Sequence, residues 1–229
     1  MQISKKVISP ALTFVKGGNM KFIIVLLMIV GWVAPTTAAQ AEEKKVLMLI
    51  STGFYAPEYF KPREIFERAG FQVQVAAKYD TPVIPDQRQV KEYPSVKPDV
   101  IFSKVDINKY DAIVFSGGNG AWEDFFPNED VHKILSQSLE KGKKVALLCS
   151  ATGLLGVANN LDGKGKPLVK GKKVTGYKRV RGLLEVMGGV QYLPGESGKP
   201  FVVVDGNLIT GRDPISSELF GRTVVEHLK

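Results

Sequence analysis

The chain has 229 residues, one cysteine, two histidines and a formal net charge of +8. A lone cysteine excludes an internal disulfide, and so few histidines and cysteines leave no ligand set for zinc or a related metal. The basic residues are scattered, with no aromatic-interleaved basic stripe, which argues against nucleic acid as a partner.

Met20-Lys21 precedes an uncharged apolar run, Phe22 to Val33, too short for a comfortable membrane span. Ala34 to Ala41 follows, and Ala39-Gln40-Ala41 fits a small-x-small cleavage site before Glu42. Residues 1–41 therefore read as a secretory signal peptide, with 1–19 an over-extended start because Met20 opens a more ordinary signal. The alternative is an uncleaved anchor, against which no second apolar run of spanning length follows. No cysteine follows the run to support a lipid anchor. Cleavage removes four lysines and no acid, leaving 188 residues with a net charge of +4, one domain's worth of chain. The expected location is the periplasm or the medium, without stable membrane insertion after cleavage.

Strand and helix signals alternate along residues 42–229. Val46 to Ile50 is a continuous apolar run of strand length, as in a strand buried on both faces. Pro57 to Ala69 reads as a helix stopped by Gly70, and Gln72 to Ala76 as a strand. Asp80 to Pro98 holds Pro82, Pro85, Pro94 and Pro98 and is expected to run extended over the active-site edge. Tyr110 to Ser116 is a strand closing into Gly117-Gly118. Asp130 to Lys141 is a helix, with Val131, Ile134, Leu135, Ser138 and Leu139 on one stripe. Val145 to Leu148 is the next strand, delivering Cys149, and Ser150 to Ala158 the next helix. The glycine- and lysine-rich run from Asp162 to Lys173 lacks the order of a phosphate-binding loop and reads as solvated. Val202 to Thr210 reads as a hairpin turning at Asp205-Gly206, and Ile215 to Leu228 closes the chain as a helix. This alternation predicts a doubly wound α/β fold with a mainly parallel sheet sandwiched by helices.

Cys149 stands where a strand turns directly into a helix. A free cysteine is commonly an inert core residue. The carboxyl edge of an open α/β sheet is, however, where ligands bind, and the same turn presents the serine of hydrolase nucleophile elbows. The helix N-terminus and the elbow N–H groups are expected to lower the thiol's pKa and give a thiolate at neutral pH. On the first helix, Glu58 precedes Ile65, Phe66 and Ala69 by seven, eight and eleven residues, which puts it on the apolar stripe. It reads either as an acid favoured by the helix dipole or as a buried carboxyl bonded to Cys149, its pKa raised by burial. Gly117 and Gly118 form a tight turn or, with the Ser150 N–H, an oxyanion hole. His132 falls opposite the stripe of its helix and is expected to be solvated, and His227 lies near the C-terminus. Neither is placed as the base of a Cys–His pair.

The ordered set Pro57-Glu58 before Gly70, Tyr110 to Gly118, Ala146 to Cys149, Lys173 to Thr175 and Val203 to Arg212 resembles the ThiJ/PfpI family of the class I glutamine amidotransferase-like superfamily. That family includes the Parkinson-disease protein deglycase and an archaeal intracellular protease. The resemblance implies a flavodoxin-like fold and a homodimer, for which Phe60 is the contact expected here. It implies Cys149 as nucleophile, Glu58 as its carboxyl partner and the Gly118 and Ser150 N–H groups as oxyanion donors. No metal or organic cofactor is expected, because no His/Cys ligand set exists. The protease-like members have histidine where this chain has Ser150, and after Lys173 to Gly176, where the deglycase has a nearby histidine, this chain has Tyr177, expected to line the pocket. Asp213 replaces a glycine common in the family. The expected activity is cysteine-dependent chemistry on a small electrophile, of glyoxalase, deglycase, hydrolase or hydratase type, in oxidative or carbonyl stress. The alternatives are a redox-responsive or protein-protecting module without turnover, and a ligand-binding pseudoenzyme.

Overall fold

The computed structural model describes residues 43–158 and 167–229, all within one compact unit, 41–229. The signal-peptide reading and the first part of the glycine- and lysine-rich run lie outside these residues. Among the described residues no helix is long and apolar enough to cross a membrane.

Seven strands form the main sheet. They are β1 (Lys45–Leu49), β2 (Gln72–Ala77), β3 (Val100–Ile101), β4 (Ala112–Phe115), β5 (Lys144–Leu148), β8 (Val202–Asp205) and β9 (Leu208–Gly211), ordered β3-β2-β1-β4-β5-β9-β8. Every pairing is parallel except the β8–β9 hairpin. Two short strands, β6 (Lys173–Val174) and β7 (Gln191–Tyr192), pair separately. The continuous apolar runs of β1, β4 and β5 follow from burial on both faces. Met48, Val114 and Ala146 point to one face, where they pack with α1 (Ala56–Arg68) and α4 (Ser217–Leu228). Leu47, Ile113 and Leu147 point to the other, against α2 (Glu129–Glu140) and α3 (Leu154–Val157). This is the doubly wound sandwich that the alternation predicts, and the flavodoxin-like fold that the resemblance implies.

The helices end where the sequence stops them. Gly70 takes φ +81 just past α1, a conformation that costs glycine little. Pro62 sits inside α1, on the face against α4, where a Cβ on Gly221 would stand 3.0 Å from the Pro62 Cα. The proline-rich excursion does reach the sheet's carboxyl edge. Pro85 bridges Phe54, the Asp86 N–H donates to the Phe54 carbonyl at 2.9 Å, and the Ala56 N–H donates to Gln89 Oε1 at 2.8 Å. Phe60, the contact expected for a dimer, packs within the chain, stacked on Tyr93 at 5.3 Å.

His132 corrects an expectation. It is 7 % exposed, not solvated. The turn Ala121–Phe125 and Phe126 fold over that side of α2, so the helix buries a wider arc than its apolar stripe marks. Burial pushes the imidazole pKa down, and the ring stands near the Phe125 and Phe126 carbonyls without a well-formed hydrogen bond.

Candidate active site

β5 delivers Cys149 into a tight 3-10 turn, Cys149–Gly153, which runs on into the four-residue α3. Cys149 has φ +57, the one positive φ on a residue other than glycine among the described residues. Left-handed backbone on a side chain with a Cβ is strained and persists only where its surroundings fix it. Here the Thr152 hydroxyl donates to the Cys149 carbonyl at 2.6 Å and the Tyr177 N–H donates to the same oxygen at 3.1 Å. Cys149 is 7 % exposed, a shielded residue at the sheet's carboxyl edge.

Glu58 meets it from the other side. The segment Phe54–Ala56 is pinned by the Tyr55 N–H donating to the Gly117 carbonyl at 3.0 Å, and the Glu58 N–H donates to the Tyr55 carbonyl at 2.9 Å. The first turn of α1 therefore starts against the end of β4, and Glu58, fully buried, points into the site. Gly117 is what lets the pieces close. A Cβ there would overlap Glu58 Oε2 and stand 2.7 Å from the Leu148 carbonyl oxygen and 2.8 Å from the Cys149 Cβ. The Cys149 thiol and the Gly117 N–H face the carboxyl group and favour its charged form, yet neither oxygen has a hydrogen bond of good geometry. Burial dominates and raises the Glu58 pKa to about 8. Burial therefore favours the protonated carboxyl, the direction that its place on the apolar stripe predicts.

The expectation for the thiol is overturned. Burial pushes the Cys149 pKa well above its ordinary value, Glu58 and Asp213 push the same way, and the Ser150 N–H pulls it down. The helix dipole expected to lower it is small, because the elbow is a 3-10 turn followed by four α-helical residues. Burial thus pushes both Cys149 and Glu58 toward their protonated forms, and a charged Glu58 further disfavours the thiolate.

Both expected oxyanion donors are at the site, and both are engaged. The Ser150 N–H is aimed at the Cys149 sulfur. The Gly118 N–H donates to the Ser150 hydroxyl at 2.9 Å, and that hydroxyl donates to the Gly118 carbonyl at 2.7 Å. Tyr177 lies beside the elbow, held by its bond to Cys149. Asp213, a departure from the family pattern with no consequence readable from sequence, caps the turn Pro214–Ser216. It accepts from the Ser216 hydroxyl at 2.9 Å and pairs with Arg212 at 2.8 Å. Its charge reaches both Glu58 and Cys149. Among the described residues no three His, Cys, Asp or Glu side chains gather as a metal site.

Comparison with known proteins sets this geometry in context. The sequence model of the DJ-1/PfpI family matches residues 44–227. Glyoxalase 3 of Candida albicans is 26 % identical over 202 residues, covering 72 % of this chain and 85 % of that protein. Deglycase PfpI of Pyrococcus furiosus is 30 % identical over 185 residues, covering 81 % of this chain and 99 % of its own length. The crystal structure of a ThiJ/PfpI domain protein from Brachyspira murdochii superposes with a TM-score of 0.69 at 25 % identity, covering 81 % of this chain and 97 % of that one.

Proposed function

From a chain that belongs to the DJ-1/PfpI family, with a shielded elbow cysteine beside a buried carboxyl that favours its proton, we propose an enzyme acting on small α-oxoaldehydes or their adducts. The observation that carries this reading is the coupled pair of Cys149 and Glu58, closed over Gly117. The names glyoxalase 3 and deglycase carried by two relatives support the same substrate class.

The pair holds the two protons that such a reaction needs. The Cys149 sulfur adds to the aldehyde carbon, forming a C–S bond, and the carbonyl electron pair moves to oxygen. That oxygen takes the Glu58 proton while the thiol proton passes to Glu58, which acts as a shuttle. The oxygen is stabilised by N–H donors at the elbow, Gly118 among them once the Ser150 hydroxyl turns aside. Glu58 gives its proton to the neighbouring ketone oxygen and takes the hydrogen of the former aldehyde carbon as a proton, forming an enediol; it then protonates the former ketone carbon and takes the proton of the first hydroxyl, so the first carbon is oxidised and the second reduced. The resulting thioester is cleaved by water. The sum is a 2-oxoaldehyde plus water giving a 2-hydroxy acid, with no external oxidant or reductant. Peptide hydrolysis is not part of the proposal, because position 150 is serine where protease-like members carry histidine.

The test is formation of lactate from methylglyoxal by the pure protein and by Cys149→Ala. Product that disappears with Cys149 supports the reading. Wild type that accumulates oxidised Cys149 and makes no product overturns it in favour of a redox module. We further propose export, with cleavage after Ala41. It rests on the apolar run and the small-x-small signal, and an N-terminus at Glu42 on protein from the cell envelope tests it.

A further inference from the structure

A second strand end lies beside the elbow, and it carries a charge that the chemistry above does not use. β9 runs parallel to β5, with Gly211 paired to Leu148, the residue before Cys149. A Cβ on Gly211 would overlap the Leu148 side chain and stand 3.0 Å from Phe220, so the missing side chain lets the two strand ends close. Arg212 and Asp213 follow at once. The Asp213 carboxylate is fixed on both oxygens. Its Oδ1 accepts from the Ser216 hydroxyl at 2.9 Å and from the Ser216 N–H at 3.3 Å, and its Oδ2 accepts from the Arg212 Nε–H at 2.8 Å. The Ser216 hydroxyl in turn accepts from the Phe201 N–H at 3.0 Å.

Arg212 is drawn the other way. Its Nη groups donate to the carbonyls of Pro194, Glu196 and Lys199 at 3.2, 2.6 and 2.6 Å, which hold the guanidinium against the 194–199 loop, and its charge bears on Tyr192, just before that loop. The pair is a fixed dipole, and its negative end reaches the site: the Asp213 charge acts on both Glu58 and Cys149. The Arg212 and Asp213 side chains are 10 % and 22 % exposed, so salt screens them far less than a surface pair. The other elements packed there bring few charges. α1 brings Glu58 to the thiol, the elbow brings the Ser150 N–H, and β4 brings the Gly117 N–H to Glu58. The Tyr177 segment brings an N–H that the Cys149 carbonyl accepts. Asp213 thus supplies a charge to Cys149 and Glu58 from outside the two.

We propose that Asp213 is a positioning residue for the reaction, a fixed negative charge that disfavours a resting thiolate at Cys149 and so ties formation of the nucleophile to proton transfer through Glu58. This rests on the reading of Cys149 as the reacting thiol and adds what governs when it reacts. A negative charge penalises any further negative charge beside it, whether on the sulfur or on the carboxyl. The route that avoids this penalty is neutral throughout. The thiol proton passes to Glu58 as the sulfur bonds to carbon, Glu58 gives its own proton to the carbonyl oxygen, and no net charge builds up beside Asp213.

The experiment is the pH profile of iodoacetamide alkylation at Cys149, followed by intact mass, in wild type, Asp213→Asn, Asp213→Gly and Ser216→Ala. Asparagine keeps the acceptor that caps the turn and loses the charge. Ser216→Ala breaks the cap and leaves the charge. The midpoint is expected to fall by about half a pH unit or more in Asp213→Asn and to stay at the wild-type value in Ser216→Ala. The rate at pH 7 should rise about twofold in Asp213→Asn, less than the gain in thiolate, because a less basic thiolate is a weaker nucleophile. Asp213→Gly, which removes charge and cap together, is expected to lower the midpoint likewise, and it carries the test if Asp213→Asn does not fold. An unchanged midpoint in the variants without the charge, or an equal fall in Ser216→Ala, overturns the role of Asp213 while leaving Cys149 a nucleophile. No alkylation at any pH overturns the nucleophile reading as well.

Discussion

The Ser150 hydroxyl holds both the N–H and the carbonyl of Gly118, at 2.9 and 2.7 Å. The residue that replaces the protease-like histidine thus occupies a backbone donor that an oxyanion would use. Ser150→Ala removes the occupant and frees the Gly118 N–H. We expect kcat on methylglyoxal to rise several-fold, part of the 10²–10³ that one oxyanion donor is worth. The lost hydrogen bonds should cost about 1 kcal/mol of stability. Steady-state kinetics and urea unfolding check both. A tenfold fall in kcat would instead make the serine hydroxyl itself a donor.

Gly117→Ala is the sharpest steric test. The added methyl meets the Glu58 carboxyl, and two of its neighbours, the Leu148 carbonyl and the Cys149 Cβ, cannot swing away as a flexible side chain would. Overpacking of this kind typically costs 1–3 kcal/mol. We expect a loss of that size in denaturant unfolding, together with loss of turnover, because Glu58 and Cys149 must separate. Normal stability and activity would mean that the site is looser than its geometry.

Glu58 also leaves a mark on stability. Its pKa is near 4.5 unfolded and about 8 folded, so the folded state binds the extra proton between those values. The stability this group contributes is fully present below about pH 4.5, declines as pH rises, and is gone above about pH 8. The shift corresponds to roughly 5 kcal/mol as an upper limit. Unfolding measured at pH 5 and pH 8.5 should show wild type losing several kcal/mol and Glu58→Gln losing clearly less. Equal losses in the two proteins would remove Glu58 as the buried acid.

Much of this was legible in the residues because the physics that placed them is local or periodic. Apolar runs long enough to be buried on both faces marked β1, β4 and β5, and Asp205-Gly206 marked the β8–β9 turn. Helical spacing alone put Glu58 on the buried side of α1, and the strand-to-helix junction put Cys149 at the sheet edge. What escaped depends on contacts distant in sequence. β3, β6 and β7 are two residues each and too short to carry a period. His132 is buried by a turn that precedes its helix, and the thiol's raised pKa follows from enclosure and from how short α3 is. The proline-rich excursion comes to the sheet edge because Phe54 and Ala56 hold it, pairings that no spacing within residues 80–98 encodes.

The most direct measurement of the central claim, that Cys149 and Glu58 titrate as one unit, is the pH dependence of iodoacetamide alkylation in wild type and Glu58→Gln. Burial and the neighbouring carboxylate raise the thiol, so the wild-type midpoint should lie above that of a free thiol, about 8.5. Removing the carboxylate charge should bring the midpoint down by about one unit or more, since a nearby like charge is a main cause of such shifts. Coincident midpoints in the two proteins, or a wild-type midpoint well below that of a free thiol, would contradict the account.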